Sequence, residues 1–454
     1  MSLKFGTDGV RGVANTELTP ELALALGRSA ARVIGGSRWL VGRDTRRSGS
    51  LLHAALASGL ASEGAEVCDI GVVPTPGVAF LSASDDVPAA MISASHNPFA
   101  DNGIKLFSPG GNKLSDETEE QLEAVLATLE AEGIPGSAAR RTGGDVGRLT
   151  TDDGGAAARY TTHLRSGAID GRRLGGLRVV IDCANGAASG IAPGVLSALG
   201  AEVTVLNAEP DGLNINADCG SNHPDGLRHA VVTRGADVGL AFDGDADRLV
   251  AVDAAGDLVD GDHIIAICAI DLRERDLLAH ETVVVTVMTN LGFRHAMREH
   301  GITVVETDVG DRYVLEALGR GGYSLGGEQS GHVIFRDRAS TGDGVLTGIT
   351  LLDVMARSGR PLADLAAVMQ RLPQVLRNVR VAHRDPEIVA HLASDIAEAD
   401  IVLGGEGRVL VRPSGTEPLV RVMVEAPTAA EAAAVADRLV AAVGRVAGEG
   451  SPPA

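Results

Sequence analysis

The chain has 454 residues, too many for one compact core, and at about 150 residues per domain it divides into three or four. A hydrophobic content of 44%, 58 glycines and no apolar run near the roughly 18 residues of a membrane span fit a soluble α/β protein with many tight turns. A formal net charge of −20 and 2% aromatic residues lack the basic field and stacking surfaces of nucleic-acid binders, so any small anion must be held by backbone amides and a few arginines. Cys68, Cys183, Cys219 and Cys268 lie far apart with no CxxC spacing, which sets aside a zinc site or a disulfide framework. The opening MSLKFGTDGVRG lacks the charged and apolar regions of a secretory signal, so a cytoplasmic location is expected.

Strand-like runs alternate with amphipathic stretches of helical length, the pattern of α/β layers with parallel crossovers. In chain order, a helix is expected over Pro20 to Ile34, strands over Trp39 to Gly42 and Ala89 to Ser93, and a helix over Ser115 to Leu129. The polar, glycine-rich stretch Thr142 to Ala156 reads as a boundary. Strands follow at Arg178 to Asp182, Glu202 to Leu206 and Val238 to Phe242, with a softer boundary near Ala254 to Asp257 and a buried segment at Ile264 to Ile270. Next come strands at Thr282 to Val287 and Ile302 to Glu306, helices at Leu291 to His300 and Asp311 to Leu318, and a further boundary near Arg357 to Pro361. From about Pro373 the pattern changes to strands at Arg408 to Val411 and Leu419 to Glu425 and an alanine-rich helix over Ala429 to Val446, a small α+β domain with a frayed tail from Gly448. The expected domains are 1–148, 155–254, 257–366 and 372–448.

Chemistry concentrates at four places. Asp243, Asp245 and Asp247 stand at i, i+2, i+4 after a buried-type strand. Hard divalent cations want oxygen ligands, and three crowded carboxylates repel one another unless a cation intervenes. An EF-hand is excluded, because Arg248 and Ala254 occupy the positions that need glycine and glutamate. Magnesium suits few carboxylates plus a phosphate oxygen; a solvated acidic turn is the bland alternative.

The second place is Ser93-Ala94-Ser95-His96-Asn97-Pro98, followed by Asp101 to Lys105. A serine after a strand, in a turn favoured by Asn-Pro, is presented to a cleft as a nucleophile or phosphate carrier, or simply caps nearby amides. There is no GxSxG elbow here to support a hydrolase triad. Lys105 is one of three lysines, with Lys4 and Lys113, in a chain that otherwise uses arginine. Unlike arginine, lysine can exchange its proton and act as acid or base.

The third, Gly326-Gly327-Glu328-Gln329-Ser330-Gly331-His332, carries side chains that bond sugar hydroxyls; His332 is either an acid/base or a satisfied histidine heading the next strand. The fourth, Arg412-Pro413-Ser414-Gly415-Thr416-Glu417-Pro418 with Arg421, forms an anion cradle or an ordinary turn. Thr7 to Gly12 and Gly42 to Arg46 add arginines whose roles the residues alone leave open.

Taken in order through nearly the whole chain, SASHNP, DGDADR, GEQSGH and RPSGTEP resemble the α-D-phosphohexomutases. The stretches Asn214 to His223, Val309 to Val314 and Glu328 to His332 continuing to Thr341-Gly342-Asp343-Gly344, together with Gln329, are similar to the bacterial amino-sugar branch of that family. The resemblance implies four domains around a central cleft, three related mixed α/β units and a smaller C-terminal α+β domain. It implies Ser95, rather than Ser93, as the phosphorylated serine, and Asp243, Asp245 and Asp247 with that phosphoserine as the Mg2+ shell. It also implies Arg11, Lys105 and Arg248 around the transferred phosphoryl group, Glu328, Ser330 and His332 at the sugar, and Arg412, Ser414, Gly415, Thr416 and Arg421 at the distal phosphate. The implied reaction interconverts glucosamine 6-phosphate and glucosamine 1-phosphate through a bisphosphate, supplying the precursor of UDP-N-acetylglucosamine for cell walls. Glucosamine or glucose 1,6-bisphosphate would serve as activator. The partner would be a small phosphosugar, with no nucleic acid and no membrane, and a homodimer stays open. Phosphomannomutases and phosphoglucomutases share the machinery and are the nearest rival reading; a sugar-phosphate sensor and a magnesium phosphatase are more distant ones.

Overall fold

The computed structural model describes residues 9–132, 141–167, 173–383, 385, 387–414 and 418–447. Thr7, Asp8, Gly415, Thr416 and the tail from Gly448 lie outside the described residues. The described residues fall into two compact units, Met1–Met288 with Ile302–Val368, and Thr289–Gly301 with Met369–Ala454.

The larger unit holds three sheets. The first runs Val10–Val13, Asp101–Ser108, Ala89–Ile92, Arg38–Arg43, Glu66–Val72 and Leu149–Thr151, with Asn112–Lys113 folding back onto Asp101–Ser108. The second runs Leu258–Val259, Leu249–Asp253, Val238–Phe242, Arg178–Asp182 and Glu202–Leu206. The third runs Val333–Phe335, Leu325–Gly327, Thr282–Thr286 and Thr303–Thr307.

One four-strand plan recurs in all three. A first strand is flanked by parallel second and third strands, and the third turns directly into an antiparallel fourth. The three turns from third to fourth strand are segments 93–100, 243–248 and 328–332, which carry the serine, aspartate and sugar-type motifs. They leave the C-terminal ends of parallel strands, where open α/β sheets place their ligands.

Local sequence explains these elements. Val238–Phe242 is buried at every residue, as a strand covered on both faces must be. Asp343 caps helix Gly344–Ser358 by accepting from Leu346 N at 2.9 Å, and Asp260 caps Gly261–Glu274 by accepting from His263 N at 3.2 Å. The apolar run Ile264 to Ile270 is the buried face of that second helix. Gly331, at φ +91°, lies against Leu249, whose amide donates to the Gly331 carbonyl at 3.0 Å; a Cβ there would run into the Leu249 carbonyl.

Two strands were hidden by composition. Asp101–Ser108 opens with Asp-Asn-Gly, turn-like on paper, yet pairs with Val10–Val13 and Ala89–Ile92 and carries Lys105 into the sheet. Leu149–Thr151 lies inside the polar stretch that reads as a boundary and adds a parallel strand to Glu66–Val72, so the first sheet continues past residue 148.

The smaller unit is an antiparallel sheet ordered Gln374–Arg380, Leu419–Glu425, Arg408–Pro413, with helices Ala393–Leu403 and Ala429–Ala447 packed through Val422, Val424, Val435 and Leu439. Within it, buried Glu425 accepts from Leu291 N at 2.8 Å and from Arg408 Nε at 2.6 Å.

Gly331→Ala should destabilise the larger unit by roughly 1–3 kcal/mol through the left-handed backbone alone, with the carbonyl clash adding to it. Chemical denaturation of the full chain checks this, and an unchanged midpoint would refute it.

Candidate active site

Ser95 sits on a turn that the fold holds from behind. Its φ of 53° is left-handed, costing about 1–3 kcal/mol that the surroundings must offset. The Ser95 amide donates to Ser93 Oγ at 2.9 Å, and Ser93 Oγ donates to buried Asp44 at 2.6 Å. Arg46 pairs with Asp44 at 2.9 Å and donates to the carbonyls of Ser95 at 2.9 Å, Asn97 at 2.8 Å and Pro98. Asn216 adds donors to the carbonyls of Ser95 and Asn97 at 2.9 and 3.0 Å. Gly244 packs against the same Ser95 carbonyl, where a Cβ would lie 2.6 Å away. The Ser93 hydroxyl is thus spent inside the scaffold, while Ser95 Oγ donates to Asp243 Oδ2 at 2.7 Å and lies 3.3 Å from His96 Nδ1.

Asp243, Asp245 and Asp247 are buried with one oxygen of each within 4.8 Å of the others. Their oxygens divide into two kinds. Asp243 accepts from Ser95 Oγ and, at 3.2 Å, from Arg248 N. Asp245 Oδ2 accepts from Lys105 Nζ at 2.8 Å and Thr75 Oγ1 at 2.6 Å. Asp247 Oδ2 faces Lys105 Nζ at 3.5 Å and His332 Nδ1 at 3.7 Å. Oδ1 of Asp245 and Oδ1 of Asp247 are buried and receive no hydrogen bond. Burial and the charges of Asp247 and Asp245 push the Asp243 carboxyl well above the usual range. At Asp247 burial acts the same way, but Lys105, His332 and Arg248 outweigh it and hold the carboxyl well below that range. Three buried carboxylates that bring one oxygen each within 4.8 Å, two of them with an Oδ1 that takes no hydrogen bond, fit a divalent cation of the magnesium type.

The remaining side chains of the larger unit close around this cluster. Burial, then the positive charges of Arg248 and Arg11, push His96 down to about 4, so its ring is neutral beside Ser95. Burial opposes a charge on His332, but Asp247, Asp311 and Glu328 outweigh it and raise its pKa. The Gly342 amide donates to His332 Nε2 at 3.0 Å, a contact only the neutral ring can accept, so protonating His332 sacrifices it. Glu328 takes the Gly310 amide at 3.1 Å, and burial raises its pKa, while Ser330 is exposed.

Sequence reasoning missed several members. Thr75 lies in no recognised motif, and in the Gly42 to Arg46 stretch, whose role the residues alone leave open, Asp44 and Arg46 form a buried clamp. Lys113 reaches Asp311 at 2.5 Å, with Asp311 3.4 Å from His332 Nε2. Its only advance signal was the scarcity of lysine. All four cysteines are free thiols, and burial pushes the Cys219 thiol up to about 12.

In the smaller unit, Arg412 stands directly opposite Arg421 in the antiparallel register, and the Ser414 amide donates to the Leu419 carbonyl at 2.9 Å. Facing like charges disfavour a strand pair unless an anion or a counter-charge offsets them.

Family models named phosphoglucomutase/phosphomannomutase match four consecutive segments: alpha/beta/alpha domain I over residues 2–132, domain II over 158–256, domain III over 260–372 and the C-terminal domain over 376–442. The chain belongs to the phosphoglucomutase/phosphomannomutase family. Within it, the chain is 55% identical to a phosphoglucosamine mutase of Frankia alni over 98% of both chains, and 54% identical to one of Rhodococcus jostii over 98% of this chain and 100% of that one. A phosphoglucomutase/phosphomannomutase family protein of Burkholderia thailandensis superposes with a TM-score of 0.80 at 26% identity, covering 98% of each chain. The N-acetylphosphoglucosamine mutase of Aspergillus fumigatus, solved with GlcNAc-6P and magnesium, shares the fold at a TM-score of 0.67 and 19% identity, over 99% of this chain and 96% of that one. The family's plan of three α/β domains and a C-terminal domain is the architecture found here. Among the described residues no helix is long and apolar enough to cross a membrane.

Because the native pKa of Asp243 is raised, its contribution favours the folded state below the unfolded value of about 4 and is lost as pH rises through the native one. Asp243→Asn should therefore raise the melting temperature of the cation-free protein at neutral pH and flatten its fall with rising pH. Thermal melts across that range check this; a lower melting temperature for the variant would refute it.

Proposed function

We propose that the chain is a phosphoglucosamine mutase that interconverts glucosamine 6-phosphate and glucosamine 1-phosphate, with Ser95 as phosphoryl carrier. The observation that carries this reading is the Ser95 hydroxyl, 2.7 Å from the first of three buried aspartates. The full-length relatives bearing that name support the choice of sugar.

In the proposed reaction the phosphoserine P–O bond breaks as the sugar O1 forms its own bond to phosphorus, giving the 1,6-bisphosphate. The O1 proton passes to a side chain, for which Lys105 is the first candidate and His332 the second. The side chain passes that proton to the departing Ser95 oxygen. The bisphosphate turns about, the Ser95 hydroxyl attacks the phosphorus on O6, the P–O6 bond breaks, and the proton Ser95 gives up passes to O6, regenerating the carrier. Glucosamine or glucose 1,6-bisphosphate would recharge a chain that had lost its phosphate.

Asp243, Asp245 and Asp247, with an oxygen on Ser95, would hold Mg2+, which neutralises charge on the transferring group. Arg248 and Arg11 add fixed positive charge near His96, beside Ser95. Glu328 and Ser330 present acceptors and a hydroxyl to the sugar. Arg412 and Arg421, with Ser414, Gly415 and Thr416, supply the chemistry of a phosphate grip.

Ser95→Ala should abolish turnover while glucosamine 6-phosphate still binds, and intact-mass analysis should find one phosphate on the parent protein, mapped to Ser95. Normal turnover in the variant would overturn the carrier role. Competing glucosamine, glucose and mannose 6-phosphates in one assay tests the sugar; preference for either neutral hexose would move the reading to the sister activities. Lys105→Arg keeps the charge but not the exchangeable proton, so undiminished activity there would transfer that step to His332.

A further inference from the structure

We propose that Thr75 is a positioning residue for the divalent cation, setting which oxygen of Asp245 is offered to it. The proposal rests on the reading of the aspartate loop as a magnesium site. Thr75 opens helix Thr75–Asp85, the connection between the second and third strands of the first sheet, whereas the aspartates belong to the second. It is 2% exposed. Its hydroxyl donates to Asp245 Oδ2 at 2.6 Å and its amide donates to the Asp245 carbonyl at 3.0 Å, so one residue clamps both ends of the aspartate.

A carboxylate has two equivalent oxygens, and a half-turn about its last bond exchanges them. Here the equivalence is broken. Oδ2 takes the Thr75 hydroxyl and the Lys105 ammonium, while Oδ1 is buried with no donor.

The two donors differ in kind. Lys105 offsets the negative charge that would attract a cation, whereas the Thr75 hydroxyl fixes the orientation and leaves the charge intact. Outer-shell donors of this sort orient ligands and tune metal affinity.

The helix start is backed by packing that cannot easily yield. A Cβ at Gly77 would lie 3.0 Å from the Tyr160 ring, and the buried Tyr160 hydroxyl is tied to Asp343 Oδ2 at 2.8 Å. Thr75 therefore acts from a rigid platform.

The test is a calorimetric titration of the full chain with Mg2+, alongside cation-free melting curves. Thr75→Val keeps the shape and removes the hydroxyl; it should fold and bind Mg2+ roughly ten- to a hundredfold more weakly. Thr75→Ser keeps the hydroxyl and should bind as the parent does. If the valine variant does not fold, Thr75→Ala replaces it in the same comparison. Should the parent bind Mg2+ and the hydroxyl-free variant match it, the role of Thr75 is overturned while the cation site stands. Weakening in the serine variant equal to that in valine also overturns it, because the hydroxyl would then not be the cause. If the parent itself does not bind Mg2+, the cation reading falls and this proposal with it.

Discussion

The arrangement depends on one electrostatic constraint, three carboxylates buried within a single turn of chain. Left alone they repel, and burial denies them water. Each neighbour answers part of that cost: Lys105 lies between Asp245 and Asp247, Arg248 contributes its amide to Asp243, and Ser95 and Thr75 add neutral donors. Oδ1 of Asp245 and of Asp247 take no hydrogen bond, although the latter faces Arg248 Nε at 3.8 Å, and a cation there would complete the balance.

Repetition explains how the parts meet. Each sheet of the larger unit sends its third strand into an antiparallel fourth, and each of those turns carries one chemical motif. Equivalent places in three sheets deliver a hydroxyl, a set of carboxylates and a sugar-type loop. The interlocking is direct: Gly244 meets the Ser95 carbonyl, the Thr75 amide donates to the Asp245 carbonyl, and Leu249 donates to Gly331.

Much of this was legible in the sequence because strong patterns coincided. The run Val-Gly-Leu-Ala-Phe ahead of Asp243 has the length and apolar character of a covered strand, and the aspartate spacing after it suits a cation better than a solvated turn. Less legible was everything that depends on distant pairing. Asp44, Arg46 and Thr75 gain their meaning from residues 49 to 170 positions away, and nothing local distinguishes them from ordinary turn residues. The strand Asp101–Ser108 begins with residues typical of turns, and only its neighbours on both sides make it a strand. The residues alone leave Ser93 and Ser95 open and only the family resemblance points to Ser95; the scaffold adds that the Ser93 hydroxyl is taken by Asp44, whereas that of Ser95 faces Asp243.

The clamp on the Ser95 backbone has a dynamic consequence. With its carbonyl gripped by Arg46 and Asn216 and pressed by Gly244, this serine cannot work as a swinging arm that carries its cargo from one end of a sugar to the other. For the proposed reaction the carrier is a fixed post, and the ligand must do the travelling. The half-finished molecule then has to loosen enough to tumble without escaping, and each escape would strand the protein without its phosphate until another bisphosphate arrived. Residence time of that intermediate, rather than speed of bond making, would govern how long the catalyst stays charged.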